Sequence, residues 1–238
     1  MLKPLAIIQL GEPPEPIFKA IGQQSDWFID ALPPVHNDIK IFRPDMGEKI
    51  PSSDNFSGAI LTGSWAMVTD LHPWSESTAE WIRSAHSNSL PLLGVCFGHQ
   101  LIAHALGGRV GDNPTGRECG LHLIELSGDY QNDPLLKDMP KRLSAWLSHQ
   151  QTVLEAPQGA NILAFSTQDS CQIIRYSGTT FSVQFHPEFS LDVMLACLWN
   201  NEVIDHLPDG KNLPTWPRLI LQRFYNYYCT VPKCDFIH

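Results

Sequence analysis

The residues with the clearest chemical potential are a cysteine and a histidine that stand about 90 positions apart. In residues 90–108, LPLLGVCFGHQLIAHALGG, an apolar run leads into Gly94-Val95-Cys96-Phe97-Gly98. Apolar residues then recur at helical spacing (Leu101, Ile102, Ala105, Leu106) and stop at Gly107-Gly108. A strand, a tight turn with small residues two before and two after its apex, and a helix form the arrangement that lifts a nucleophile clear of its backbone. Cys96 then stands at a helix N-terminus, where the macrodipole and unpaired N–H groups favour a thiolate, and the N–H of Phe97 points toward a developing oxyanion. A thiolate that attacks an acyl carbon needs a proton carrier, and the carrier needs an orienting partner. Gln184-Phe185-His186-Pro187-Glu188 offers both: His186 closes a run of β character, and Glu188, two residues on, shares its face if the extended geometry continues.

These two segments must be brought together by the elements around them. The first half alternates apolar runs at 5–10, 39–42, 57–62 and 90–95 with helical patterns at 17–32 and 77–86, which predicts crossover connections and a parallel sheet. The second half carries five short β-like runs at 121–126, 144–148, 162–166, 171–176 and 179–185, which predict a small mixed or antiparallel extension. Helical patterns at 191–206 and 217–228 end the chain, with Pro208, Pro214 and Pro217 breaking the stretch between them. The expected fold class is α/β, a flavodoxin-like open, mostly parallel sheet flanked by helices. Since the second half must supply His186 and Glu188 to Cys96 in the first, residues 1–238 are read as a single domain with 205–238 as a C-terminal helical extension. The aromatic stripe in that extension (Leu219, Ile220, Phe224, Tyr227, Tyr228) reads as a helix packed on the core, with a partner or self-association surface as the alternative.

Composition narrows the function classes. With 238 residues, 43% hydrophobic and 17% charged, the chain can bury a sizeable core. Sixteen Lys+Arg against 25 Asp+Glu give a net charge of −9, and the longest basic run is Lys141-Arg142, so a nucleic-acid partner is not expected. The six cysteines (Cys96, Cys119, Cys171, Cys197, Cys229, Cys234) form no C-x-x-C pair, which argues against a zinc site or a disulfide framework. No metal and no cofactor are expected. His99 and His104 read as packing or surface residues, and His36, His72, His86, His122, His206 and His238 have no constellation. Neither a signal sequence nor an apolar run of about 18 residues is visible, which predicts a cytoplasmic protein without a membrane span.

GVCFGHQ (94–100) followed by QFHPE (184–188) resembles the class I glutamine amidotransferase family, with its Cys-His-Glu triad. AILTGS (59–64) is similar to the segment where the family places its oxyanion loop. ALGGRV (105–110), GRECG (116–120) and WLSHQQTV (146–153) match further family segments, so the resemblance spans about 5–192. It implies a γ-glutamyl thioester on Cys96, proton transfer by His186 and orientation of His186 by Glu188. It also implies an oxyanion hole from Phe97 and the Gly63-Ser64 turn, and substrate contacts from Gln100, Ser148, Gln150 and Gln151. The bulkier Gly63-Ser64-Trp65-Ala66, and Gln150-Gln151 where the family's GMP synthase type has Gly-Asp, depart from the pattern. With no P-loop or ATP-pyrophosphatase fingerprint, the chain is expected to be a stand-alone, GMP-synthase-like member. It would release ammonia and glutamate from glutamine, and an ammonia-accepting synthetase remains an open partner. A γ-glutamyl peptidase is the alternative, and a catalytically silent regulatory or binding subunit with the same fold a further one. A cysteine hydrolase of the distantly related peptidase or chaperone branch is argued against by QFHPE. The oligomeric state is left open.

Overall fold

The computed structural model describes residues 2–35, 38–199 and 214–230. In chain order the elements are β1 (Leu5–Ile8), α1 (Glu15–Ile21), α2 (Gln24–Ala31), β2 (Ile39–Phe42), β3 (Gly58–Leu61), α3 (Pro73–Ser87), β4 (Leu92–Val95), α4 (Phe97–Ala105), β5 (Arg109–Asp112), β6 (Glu118–Leu126), β7 (Arg142–His149), β8 (Gln151–Glu155), β9 (Asn161–Phe165), β10 (Ile173–Arg175), β11 (Thr180–Val183), α5 (Leu191–Trp199) and α6 (Trp216–Phe224). Among the described residues, nine strands form one sheet in the order β2-β1-β3-β4-β11-β10-β9-β6-β7, and β5 pairs with β8 apart from it.

The sheet has the α/β character expected. β2, β1, β3, β4 and β11 pair in parallel, and from β11 through β10, β9, β6 and β7 the pairing is antiparallel. Central parallel strands are covered on both faces, so they read as continuous apolar runs. In β1 the pleat sends Leu5 and Ile7 to one face, with Phe28 and Ala31 of α2 and Ile220, Leu221 and Phe224 of α6. It sends Ala6 and Ile8 to the other, with Ala79 and Ile82 of α3 and Leu101 and Ile102 of α4. Ile220, Leu221 and Phe224 are fully buried, and Tyr228, in the π-helical turn Tyr225–Cys229, joins them. The aromatic stripe is therefore largely core, with Leu219 partly buried against it and Tyr227 half exposed.

Local differences from the expected elements have physical causes. The helix expected over 17–32 is two helices: Gly22 adopts φ +76, and a new N-terminus forms where the Gln23 N–H donates to Asp26 at 3.1 Å. The helix expected at 77–86 begins earlier, at Pro73, a residue suited to a first helical turn. β5 and β8 fall outside the expected strands, because their sequences, RVGD and QTVLE, lack a clean apolar alternation. The strand expected at 144–148 extends to His149 as β7, and β8 begins at Gln151. Cys96, Cys171, Cys197 and Cys229 are buried and Cys119 is half-buried. The helix expected at 200–206, Pro208, residues 205–213 and 231–238 of the extension, His36, His206, His238 and Cys234 lie outside the described residues.

Candidate active site

The parallel half of the sheet ends at the point where α4 begins. β4 delivers Cys96 beside the end of β11, where its N–H donates to the Val183 carbonyl at 2.9 Å. Cys96 has φ +52 and ψ −106, a strained conformation for a residue with a Cβ. The flanking glycines make that turn feasible. A Cβ on Gly94 would lie 2.5 Å from the Gly98 carbonyl oxygen, and one on Gly98 would lie 2.5 Å from the Leu61 carbonyl oxygen. Phe97 is the first residue of α4, so its N–H has no intrahelical acceptor.

His186 and Glu188 lie past the end of β11 at Val183, so strand alternation does not hold them together. Their backbone is fixed otherwise: the His186 N–H donates to the Trp146 carbonyl at 2.9 Å. His186 Nδ1 then meets Glu188 Oε1 at 2.8 Å, with both side chains buried. Phe189 stacks on the imidazole with ring centroids 3.9 Å apart, and Trp27 of α2 packs edge-on against Phe189. With Nδ1 engaged by Glu188, Nε2 is the ring nitrogen left for Cys96. Burial would push the His186 imidazole down, but the Glu188 carboxylate and the Cys96 sulfur outweigh it and lift it to about 10. Gly63 of the β3 loop closes the group, since a Cβ there would stand 3.3 Å from His186 Cε1 and 3.7 Å from the Cys96 Cβ.

These groups surround a cavity of about 230 Å³. Cys96, His186, Gly63, Ser64, Phe97, Gln100, Ser148, Gln150 and Gln151 all reach its wall, while Glu188 stands behind His186 and does not. Two of the expected substrate contacts are largely occupied by the protein itself. Gln100 Nε2 donates to the Gln151 carbonyl at 2.6 Å and to Gln184 Oε1 at 2.9 Å. Gln151 Nε2 donates to Thr69 Oγ1 at 2.7 Å and to Asp112 Oδ1 at 3.1 Å. Gln150 is exposed at the rim. Ser148 presents its carbonyl to the Cys96 thiol, which donates to it at 3.8 Å.

The cavity wall also holds residues with no identified role in the sequence. Arg117 stands at the mouth, with Nη2 3.5 Å from Ser148 Oγ. Gln24 and Trp27 arrive because the chain breaks at Gly22, and Trp65, Met67 and Phe189 add an apolar side. Among the described residues, no carboxylate lines the cavity. The one signal for Arg117 in the sequence is its place in the Gly-framed segment 116–120. His99 is not on the wall: it is fully buried, hydrogen-bonds Ser182 Oγ at 2.7 Å, and is pushed down to about 3 by burial and by His149. His104 pairs with Glu76 at 2.9 Å on the outer side of α4.

His149 on the cavity wall, with Glu118 and Asp169 behind it, forms a group whose polar atoms lie within 4.8 Å of one another, a set of types that could hold a metal. Here the atoms are engaged in hydrogen bonds. Glu118 Oε2 meets His149 Nε2 at 2.9 Å, Glu118 Oε1 accepts from Ser166 Oγ, and Asp169 Oδ1 accepts from the Cys171 N–H at 2.8 Å. Burial pushes the Glu118 carboxyl up, yet the bonds from His149 and Ser166 outweigh it and hold it below its ordinary value.

A nucleophile at a strained elbow, an imidazole held by a carboxylate and the Phe97 N–H at the helix start can together carry acyl transfer. The model of the family "Glutamine amidotransferase class-I" matches residues 21–205. A glutamine-hydrolysing GMP synthase subunit of Saccharolobus solfataricus is 42% identical over 168 residues, covering 70% of this chain and 85% of that protein. Gamma-glutamyl peptidase 5 of Arabidopsis thaliana is 26% identical over 198 residues, 81% of this chain and 76% of that one. Among solved structures, a glutamine amido transferase from Methylobacillus flagellatus shares the fold over 100% of both chains, with a TM-score of 0.76 at 21% identity. In the described residues no helix is long and apolar enough to cross a membrane. By its sequence and by the extent of the match, the chain belongs to the class I glutamine amidotransferase family.

Proposed function

We propose that the chain hydrolyses γ-glutamyl amides, glutamine first among them, through a thioester on Cys96. The observation that carries this reading is the convergence of Cys96, at φ +52 on the head of α4, with His186, whose Nδ1 is held by Glu188 at 2.8 Å, on one cavity. His186 takes the thiol proton, and the sulfur attacks the side-chain amide carbon. The oxyanion is held by the Phe97 N–H and by an N–H of the Gly63-Ser64 turn; a donor of this kind is worth about 3–4 kcal/mol. His186 then protonates the departing amine. Water, activated by the same imidazole, releases glutamate and restores Cys96. Glu188 keeps the ring in the orientation that presents Nε2 and stabilises its charged form.

On the substrate side, Arg117 is the guanidinium at the mouth and suits a substrate carboxylate. Gln150, Gln24, whose Nε2 also donates to the Gly11 carbonyl at 3.2 Å, and the Ser148 hydroxyl, which also meets Arg117, are the polar groups on the wall for the amino acid head. A second reading, cleavage of γ-glutamyl peptides, is favoured by the apolar wall of Trp65, Met67 and Phe189 and by the likeness to a protein named gamma-glutamyl peptidase. Likeness to a protein named as one subunit of GMP synthase supports transfer of the ammonia to a synthetase partner. Glutamate release from glutamine and from a set of γ-glutamyl dipeptides, measured side by side, separates these readings. Release from glutamine alone assigns the amidase, and release from the peptides assigns the peptidase. No release from any of them, or undiminished release by Cys96→Ala, overturns the proposal.

A further inference from the structure

From Gln100, His149 and Gln151 on the cavity wall, a closed circuit of hydrogen bonds runs inward among residues far apart in sequence. Glu118 Oε2 meets His149 Nε2 at 2.9 Å, and His149 Nδ1 meets the Gln151 carbonyl at 2.9 Å. The same carbonyl accepts from Gln100 Nε2, whose amide also donates to Gln184 Oε1. The Gln184 N–H donates to the Gln172 carbonyl at 2.9 Å, and Gln172 Nε2 returns to Glu118 Oε2 at 2.9 Å. Three parts of the site hang on this circuit. Gln100 lies one turn along α4 from Cys96 and donates its N–H to the Cys96 carbonyl at 3.1 Å. Gln184 lies two residues before His186. His149 directly follows Ser148, whose carbonyl faces the Cys96 thiol.

The circuit also fixes the protons on His149. One ring nitrogen faces a backbone carbonyl, which only accepts, and the other faces Glu118, which only accepts when ionised, the form its other hydrogen bonds favour, so with Glu118 ionised the ring donates from both. The side chains of His149 and Glu118 are 1% and 0% exposed, which leaves water no part in the bond. Glu118 is also met by Ser166 at 2.5 Å and has His122 Nδ1 3.7 Å away, so both of its oxygens are held.

We infer that the buried Glu118–His149 ion pair is the positioning element of the site, setting the distance between Cys96 and His186 through Gln100 and Gln184. This rests on the proposed thioester chemistry, but not on the identity of the substrate. Neither residue touches the reacting atoms in the mechanism above. Breaking the pair releases the β7–β8 turn and the Gln100 anchor together, and a misplacement near 1 Å at a reacting centre costs about 10²-fold in rate.

The test compares Glu118→Gln with Asp133→Asn. The second variant breaks a buried bidentate pair with Arg175, which lies away from the cavity. Three readouts are taken on folded protein: the rate of Cys96 alkylation by iodoacetamide, the split of kcat against KM for glutamine or a γ-glutamyl peptide, and the ¹⁵N resonances of the His149 ring. In the expected result, Glu118→Gln slows alkylation and lowers kcat by on the order of ten- to a hundredfold with KM little changed. Asp133→Asn loses stability but keeps both rates, and both ring nitrogens of wild-type His149 are protonated. Rates in Glu118→Gln that match those of Asp133→Asn, or a single protonated nitrogen on His149, overturn the inference. Should Glu118→Gln fail to fold, His149→Asn is measured in the same way and judged by the same rates. A wild-type protein that releases no glutamate refutes the proposed function alone, because alkylation and the ¹⁵N spectrum need no substrate and still decide the role of the pair.

Discussion

Replacing Gly98 by alanine tests how the elbow is built. Gly98 sits in the first turn of α4, where that helix crosses the end of β3, and an added Cβ would lie 2.5 Å from the carbonyl oxygen and 2.9 Å from the carbonyl carbon of Leu61. Neither is the tip of a flexible side chain, so relief must come from the backbone. Parting the two from 2.5 Å to ordinary contact at 3.4 Å needs a shift of about 0.9 Å, and Cys96 lies two residues upstream on the same turn. Overpacking of this kind costs about 1–3 kcal/mol, with Tm falling roughly 2–4 °C for each kcal/mol in a chain of this size. A displacement near 1 Å at the nucleophile costs about 10²-fold in kcat/KM, or about 2.7 kcal/mol of transition-state stabilisation. The assay is kcat/KM for glutamate release, with melting curves, for wild type, Gly98→Ala and Gly178→Ala. A Cβ on Gly178 meets nothing within 4 Å, so that variant should behave as wild type. Wild-type kcat/KM in Gly98→Ala, with or without a loss of stability, would refute the reasoning that backbone contact with Leu61 sets the position of Cys96.

Three further outcomes follow from the same geometry. Glu188→Gln should lower kcat far more than it changes KM, since Glu188 touches His186 and does not line the cavity; steady-state kinetics check this. The raised His186 contributes stability that is present below its unfolded value near 6.5 and is lost as pH rises toward about 10. The difference in Tm between wild type and Glu188→Gln should therefore shrink across that window, and melting curves from pH 6.5 to 10 read it. Asp133→Asn takes from the buried Arg175 guanidinium its countercharge and one of its two 2.8 Å acceptors and should cost about 3–5 kcal/mol in denaturant unfolding.

The parts of the site legible in the sequence are those whose physics is local. Gly94 and Gly98 announce an elbow because a Cβ at either collides with backbone within the turn or beside it. The apolar runs of β1, β3 and β4 announce a buried parallel sheet because both faces are covered. The pairing of His186 with Glu188 is legible as a juxtaposition, but not its cause, which is a backbone bond to Trp146, 40 residues away, beyond the end of the strand. The Glu118–His149 pair joins residues 31 apart, and Gln100 reaches Gln184 across 84, so no local pattern betrays either. Gln100 and Gln151 show the converse. Their residue types suit substrate contact, but their amide groups are engaged in holding the wall of the cavity. The break at Gly22 depends on one positive φ and a capping bond from Gln23, too weak a signal to interrupt a helical pattern that continues on both sides.

The most direct measurement is the mass of the protein during turnover. Rapidly acid-quenched mixtures with glutamine or a γ-glutamyl peptide, digested and mapped by mass spectrometry, should show one γ-glutamyl group bound to the peptide that contains Cys96. The same adduct should be absent from Cys96→Ala. Glutamate release with no adduct on that peptide, or equal release by Cys96→Ala, would contradict the thioester on Cys96.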